Sequence, residues 1–340
     1  SIVWPNPQNS DATKIDDFWH AAVNGRGSYL TATNPEELTE SLLEVMQNME
    51  LRVQSSAQVA VTGDKLYQKL TPNLLMFQNI YSSDGWTGDI KAYSVDPVTG
   101  AVDTNHPEWS AAEKLQSRTW DNRIIATYTG SAGTPFRYGS LTASQKSQLD
   151  ANYLVDSTKA ENLVKFLRGD ASQEVQNGGI FRNRFARLGD IVHSAPVFSH
   201  GILYAGSNDG LLHAFNANTG VELFAYAPNL VFDHLKELAG TSYAHRYFVD
   251  LTPTVTDLKF DASIKTLLVG GLGKGGRGYF ALDVTDMTQT NGVTSGVPST
   301  EADLAQKVLW EYPRTGTSDG EVADLGYSFS RPNIVRSNAA

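Results

Sequence analysis

Hydrophobic residues come mostly in short stretches closed by Gly, Asn, Asp or Pro, and stretches such as Leu267-Leu268-Val269 and Tyr279 to Val284 predict β-strands. Four segments carry helical spacing instead. The first opens at Asn34-Pro35-Glu36-Glu37, with an N-cap amide, a proline whose missing N–H costs nothing and acids at the positive end of the dipole. Leu38, Leu42, Val45, Met46 and Met49 then fall on one face. A second is predicted from Thr142, where Gln145 stands at the capping-box offset. A third starts at Ser157, carries Leu163 and Leu167 and stops at Gly169; a fourth runs near Val231 to Leu238 and ends at Gly240.

The strands repeat. Pro72, Pro196, Pro253 and Pro332 each lead into a short hydrophobic stretch, and 18 to 28 residues after the first three come Ala92-Tyr93-Ser94, Ala214-Phe215-Asn216 and Ala281-Leu282-Asp283. Before each of these lies a glycine turn: Asp84-Gly85, Asn208-Asp209-Gly210 and Gly275-Gly276. Proline suits the first strand of a unit because it lacks a ladder donor. The pattern predicts an all-β chain with helical insertions, built as a modified β-propeller. It places Pro196 and Ala214 in one sheet, and Tyr204, Leu212 and Phe215 in the core between neighbouring sheets. Residues 1–60 read as a lead-in segment with one amphipathic helix, and 61–340 as a partial propeller with a helical insertion at about 106–187. The fourth unit holds one strand, which predicts an incomplete propeller belonging to a longer chain.

The 340 residues carry a formal net charge of −10 and no basic run, which argues against a nucleic-acid groove. No apolar run approaches the roughly 20 residues of a membrane span. With no cysteine, there is no disulfide, thiolate metal site or thiol nucleophile.

Each candidate catalytic or metal motif has a structural explanation. Gly271 to Gly276 matches G-x-G-x-x-G, but Tyr279 to Val284 continues as a strand where a dinucleotide site needs a helix. His193, His200, His213, His234 and His245 lack metal spacing, and His213 falls inside a strand as a core or rim residue. Ser318 to Asp324 is acidic but lacks the alternating ligands of a calcium loop. No catalytic residue and no metal ligand is assigned. Arg168-Gly169-Asp170 spells a tripeptide that some cell-surface receptors bind, and it stands as the candidate adhesion site; the competing explanation is that Gly169 caps a helix.

Leu188-Gly189-Asp190-Ile191, Ser194, Pro196, Tyr204, Asn208-Asp209-Gly210, Leu212 to Phe215 and Thr219-Gly220 together resemble the PilY/PilC family of type IV pilus tip-associated adhesins and biogenesis factors. Asp250, Thr252 to Val255, Asp257, Gly270 to Gly278, Phe280 to Thr285, Leu325-Gly326-Tyr327, Phe329 and Pro332 extend the resemblance, as does Trp19 to Gly27 upstream. The resemblance implies a quinoprotein dehydrogenase-like propeller at the pilus tip, on the outer surface of a Gram-negative bacterium. It implies a non-enzymatic role in pilus assembly, control of retraction, twitching motility and adhesion. Minor pilins and a host-cell receptor are the implied partners. Calcium is implied by the family, but its Asp-rich loop has no match here, and no other cofactor is identified. The alternative is a pyrroloquinoline quinone-dependent dehydrogenase, whose propellers share Gly-x-Leu-x-Ala-Phe with a following Thr-Gly; the absence of cysteine weighs against it, since such enzymes stack the quinone on a ring made by adjacent cysteines.

Overall fold

The structure, a computed structural model, describes residues 54–61, 74–96, 98–150, 157–260, 263–290, 293–313 and 324–335. The chain divides into two compact units, 1–55 and 56–340, and all described residues but Gln54 and Ser55 belong to the second. The helix expected from Asn34, the segment from Trp19 to Gly27, Pro72 and residues 318–323 lie outside the described residues.

Three antiparallel meanders make the frame. The first sheet runs β1 (Gln54–Val61), β2 (Leu74–Ser82), β3 (Thr87–Val95) and β4 (Trp109–Ser110) in spatial order. After it come β5 (Ile125–Tyr128) and β6 (Gly133–Pro135), then β7 (Val197–Ser199), β8 (Ile202–Gly206), β9 (Leu212–Asn216) and β10 (Glu222–Ala227). The four strands β7 to β10 form the second meander, and β5 joins its outer edge by pairing parallel to β10, Ala225 opposite Ile125. The third sheet is β11 (Thr254–Phe260), β12 (Ser263–Gly271), β13 (Tyr279–Asp283) and, after a hairpin of β14 (Thr288–Thr290) with β15 (Val293–Ser295), β16 (Val308–Tyr312). Among the described residues five short helices lie between strands: α1 (Ala111–Ser117), α2 (Ala143–Asp150), α3 (Ser157–Leu167), α4 (Phe232–Leu235) and α5 (Glu301–Ala305). Three stacked four-stranded meanders with helical insertions are blades of the propeller that the repeat predicts.

Pro196 and Pro253 directly precede the first strands of their sheets, and Ala92, Ala214 and Ala281 each lie on the third. Two expectations change. The strand after Pro72, β2, is the second of its sheet, because β1 pairs ahead of it and lies mostly within the segment assigned to the lead-in. Among the described residues no strand follows Pro332. Arg331, Asn333 and Val335 are exposed and Pro332 and Ile334 only half-buried, and the segment lies beside β11 through Thr254 Oγ1 donating to the Pro332 carbonyl at 2.8 Å. The pattern also missed α1 and α5, although each carries a start signal. Ser110 accepts from Glu113 N at 3.2 Å, and Thr300 and Asp303 form a reciprocal capping box. The box expected at Thr142 is present, with Thr142 N donating to Gln145 Oε1 at 3.0 Å and Gln145 N to Thr142 Oγ1 at 3.2 Å.

Alternation along β8 and β9 divides the core. Leu203, Ala205 and Phe215 share a cluster with Phe77, Ile90 and Trp109 of the first sheet. Ile202, Tyr204, Leu212 and Ala214 point the other way, into a cluster with Leu268, Phe280 and Leu282 of the third. Tyr204, Leu212 and Phe215 are thus all between sheets, on opposite faces of the middle one. The Trp109 indole N–H donates to the Ala217 carbonyl at 3.1 Å, fixing the first seam. Phe215 is fully buried, so Phe215→Ala should cost about 3 to 5 kcal/mol by the transfer and cavity terms. Urea denaturation checks this; a loss under about 1 kcal/mol would mean the seam collapses around the missing ring.

Candidate functional site

In an antiparallel meander the turn between the second and third strands and the exit from the fourth fall at the same end. Here that end collects the turn at Trp86, the segment 188–196 leading to β7, the turn at Asp209, the connector 228–253 and the turn at Lys274. One face of the Trp86 indole stacks on His245 at a centroid distance of 3.6 Å and 22°. His245 meets Tyr247 edge-on at 4.8 Å, Tyr247 lies 5.5 Å from His193, and Lys274 Nζ sits 4.9 Å over the Tyr247 ring. Next to this row Phe185 stands 75% exposed, its ring against Gly85.

Beneath the aromatic row, residues 188–196 form a strap. Gly88 N donates to Leu188 O at 3.1 Å and Thr87 bridges Gly189, tying the strap to the first sheet. Gly88 must be glycine, since a Cβ there would lie 2.2 Å from the Gly189 carbonyl oxygen. Asn79 Nδ2 donates to Ile191 O at 3.0 Å. On the second sheet, Asn208 N and Nδ2 donate to Asp190 O and Oδ2 at 2.9 and 2.7 Å, and Gly206 N donates to Ser194 Oγ at 2.8 Å. Toward the third sheet, Ser194 Oγ donates to Leu251 O, Ala195 N donates to Thr252 Oγ1 at 2.8 Å, and His193 Nδ1 meets Asp250 Oδ2 at 2.7 Å. Asp190 Oδ2 also meets His245 Nε2 at 2.9 Å. Burial holds the Asp250 carboxyl above its usual range, although His193 pulls it down.

His213 lies in a buried ionic chain. Its Nδ1 meets Glu222 Oε1 at 2.8 Å and its Nε2 meets Asp209 Oδ2 at 3.1 Å; Arg123 makes a two-pronged pair with Glu222, both bonds at 2.8 Å. Burial opposes every one of these charges. Asp209 and Glu222 outweigh it at His213, whose pKa is raised to about 9, and Arg123 and His213 outweigh it at Glu222, which falls well below the usual carboxylate range. Arg123 Nη1 continues the chain to the Arg168 carbonyl at 2.8 Å. The histidine is a core residue, as its position in a strand indicates. Among the described residues no three His, Asp or Glu side chains converge as a metal cage.

Arg168-Gly169-Asp170 sits at the end of α3. Gly169, with φ +111°, donates to Phe166 O at 2.8 Å, and Asp170 N donates to Lys165 O at 2.9 Å, the paired bonds of a Schellman cap. Arg168 is 1% exposed. Its Nη1 bonds Glu301 at 2.6 Å and Phe136 O at 3.1 Å, and its Nη2 bonds Arg123 O at 2.8 Å. Asp170 is half-buried and accepts from Ser172 N and Oγ, both at 2.9 Å. The arginine that a receptor would grip therefore faces inward and joins the insertion to α5.

A second buried carboxyl closes the seam between the second and third sheets. Glu311 of β16 accepts from Tyr226 Oη at 2.6 Å and from Asn229 N at 2.7 Å. Burial lifts its pKa to about 7 against those donors.

Residues 190–340 match the family model described as the PilY1 beta-propeller domain. Over 386 aligned residues the chain is 36% identical to the "Type IV pilus biogenesis factor PilY1" of Pseudomonas aeruginosa strain UCBPP-PA14, which takes in 99% of this chain and 30% of that protein. The PilY1 of strain PAK is 32% identical over 98% of this chain and 30% of its own length. A PilY1 homolog of Xylella fastidiosa strain Temecula1 is 28% identical over 98% of this chain and 26% of its own. Among solved structures, the Pseudomonas aeruginosa PilY1 C-terminal domain aligns at 34% identity over 40% of this chain and 22% of that chain, with a TM-score of 0.26. The chain spans about 30% of the length of the first of these relatives.

Glu311 yields a pH test. Its folded value near 7 lies above the ordinary 4.5, so the stability tied to the protonated carboxyl is complete below about pH 4.5 and is lost as pH rises through 7. Glu311→Gln should match the wild type at acid pH and become more stable than it above neutrality, by up to about 3 kcal/mol. Unfolding free energies measured across that range check this; parallel curves would mean that Glu311 stays ionised in the folded seam.

Proposed function

Because the chain belongs to the PilY1 family of type IV pilus biogenesis factors, we propose that it serves as a binding platform in pilus assembly and turns over no substrate. The observation that carries this reading is the loop end of the sheets. There Phe185, Trp86, His193 and Lys274 offer aromatic and charged contacts on a base fixed by the 188–196 strap. Rigid aromatic anchors at low ordering cost are what protein interfaces use. The carboxylates nearby, Asp190, Asp209 and Asp250, are tied to Asn208, His213 and His193. That is the arrangement of a scaffold holding loops in place.

On this reading the protein acts outside the cell at the pilus tip, meets minor pilins there, and through them supports assembly, restrains retraction and enables twitching and adhesion. Among the described residues no helix is long and apolar enough to cross a membrane. The relatives are named for pilus biogenesis, which lends no support to the dehydrogenase alternative.

Phe185→Asp tests the platform, because Phe185 is exposed and its loss leaves the core alone. In the parent organism the variant should show fewer surface pili and weaker twitching, while the purified protein keeps its melting temperature. Normal piliation in a strain lacking residues 56–340 would overturn the proposal, as would substrate turnover by the purified protein.

A further inference from the structure

Beside the aromatic row a cleft is lined by Trp86, Phe166, Tyr243, Arg182, Arg184 and Arg187, with Arg182 against Tyr243 and Arg184 against Phe166. In a chain of net charge −10 such a gathering of guanidinium groups needs an explanation. Arg184 has one: its Nε bonds Glu174 at 2.8 Å and its guanidinium covers the Phe166 ring at 3.6 Å. Asp209 also borders the cleft, but its carboxylate is held by His213 and by Gly189 N at 3.1 Å.

Arg182 and Arg187 differ. Arg182 Nε donates to the Leu238 carbonyl at 2.6 Å and the guanidinium lies 4.2 Å from the Tyr243 centroid. Arg187 Nη1 donates to the carbonyls of Leu115, at 3.2 Å, and Arg118. Carbonyls and a ring orient a guanidinium without neutralising it. Among the described residues neither arginine forms an ion pair, and both are only half-buried where they line the cleft. Burial moves both below the usual arginine range, and at Arg187 the charge of Arg123 adds to the effect. Each cation is partly stripped of water, and the carboxylates that act on it, Glu174 and Asp190 at Arg182 and Asp170 and Glu174 at Arg187, do so without a bonded pair.

We propose that this cleft recognises a carboxylate, taking an Asp or Glu side chain from a peptide segment of a protein partner between Arg182 and Arg187. Planar guanidinium forks match a carboxylate's two oxygens, and the half-buried Trp86 and Tyr243 provide apolar area for the adjoining peptide. The net negative charge of the chain disfavours a polyanion such as nucleic acid, which would have to lie along the surface beyond the cleft. The proposal rests on the reading that the loop end meets a protein partner, and it assigns that partner an acidic segment.

The test uses the full chain and a fluorescein-labelled peptide of alternating Asp and Gly, with an Asn-Gly peptide and inorganic phosphate as comparison probes. Fluorescence anisotropy at low salt should show binding of the Asp peptide and not of the Asn peptide. Arg182→Gln and Arg187→Gln should each weaken it about tenfold or more, whereas Lys114→Gln, at an exposed site on α1, should leave it unchanged. Arg187 also holds the end of α1, so Arg182→Gln with an unchanged melting temperature is the deciding variant. Equal binding of both peptides, or variants without effect, would overturn the proposal, as would a site that prefers phosphate. Counting surface pili in the Arg182→Gln strain separates the two claims. Peptide binding with normal piliation in that strain keeps the carboxylate site and overturns its part in docking; lost piliation without peptide binding by the wild type keeps docking and overturns the site.

Discussion

The loop end holds together through one short segment whose backbone is claimed from three directions. Residues 188–196 are bonded to the first sheet through Gly88, Thr87 and Asn79, to the second through Gly206 and Asn208, and to the approach to the third through Leu251 and Thr252. The sheets otherwise meet face to face, by interdigitated side chains that resist separation but direct little. Hydrogen bonds from the strap supply direction. Asp190 is central because one buried carboxylate serves Asn208 and His245 together, and His245 in turn carries Trp86. A platform for a partner needs loops whose positions are set before binding, since ordering them afterwards would cost affinity.

The long insertion between the first and second sheets is docked by charge. Arg123 and Arg168 reach out of it to Glu222 and Glu301, and Arg123 also holds the Arg168 carbonyl. In this chain the buried Arg123, Glu222 and His213 with the partly exposed Asp209 balance two cations against two anions, so the desolvation cost is offset where the geometry is good. A buried charge that loses its partner is costly, so these pairs penalise any other register of the insertion than β5 against β10 and α5 beside Arg168. Gly169 lets α3 stop where that arginine is needed.

The blade repeat was legible because it rests on local chemistry. Glycine turns link the second and third strands of all three sheets, and the alanines that follow are buried on third strands, where the neighbouring sheet leaves little room. The proline signal was weaker, since proline marks an irregular start and not which strand starts: it leads into the first strand at Pro196 and Pro253, while the strand after Pro72 is the second. Helices α1 and α5 were missed because five to seven residues show little periodicity, yet Ser110-x-x-Glu113 and Thr300-x-x-Asp303 announced them. The candidate site was only partly legible. Asp190, Ser194 and Asp250 stood out through family resemblance, but Trp86, His245 and the paired or unpaired state of each arginine depend on contacts between residues far apart in the chain. Arg168-Gly169-Asp170 shows the converse: three adjacent letters suggested a ligand, and the fold turned the first of them inward.

The strap makes the loop end one mechanical unit. Hydrogen exchange measured by mass spectrometry on the wild type and Asp190→Ala reads this out segment by segment. Protection should fall together at Gly88 on the first sheet, at Asn208 on the second and at Phe248 and Val249 in the connector, while the β12 to β13 ladder keeps its protection. Loss confined to residues 189–191, with Gly88 and Phe248 unchanged, would contradict it.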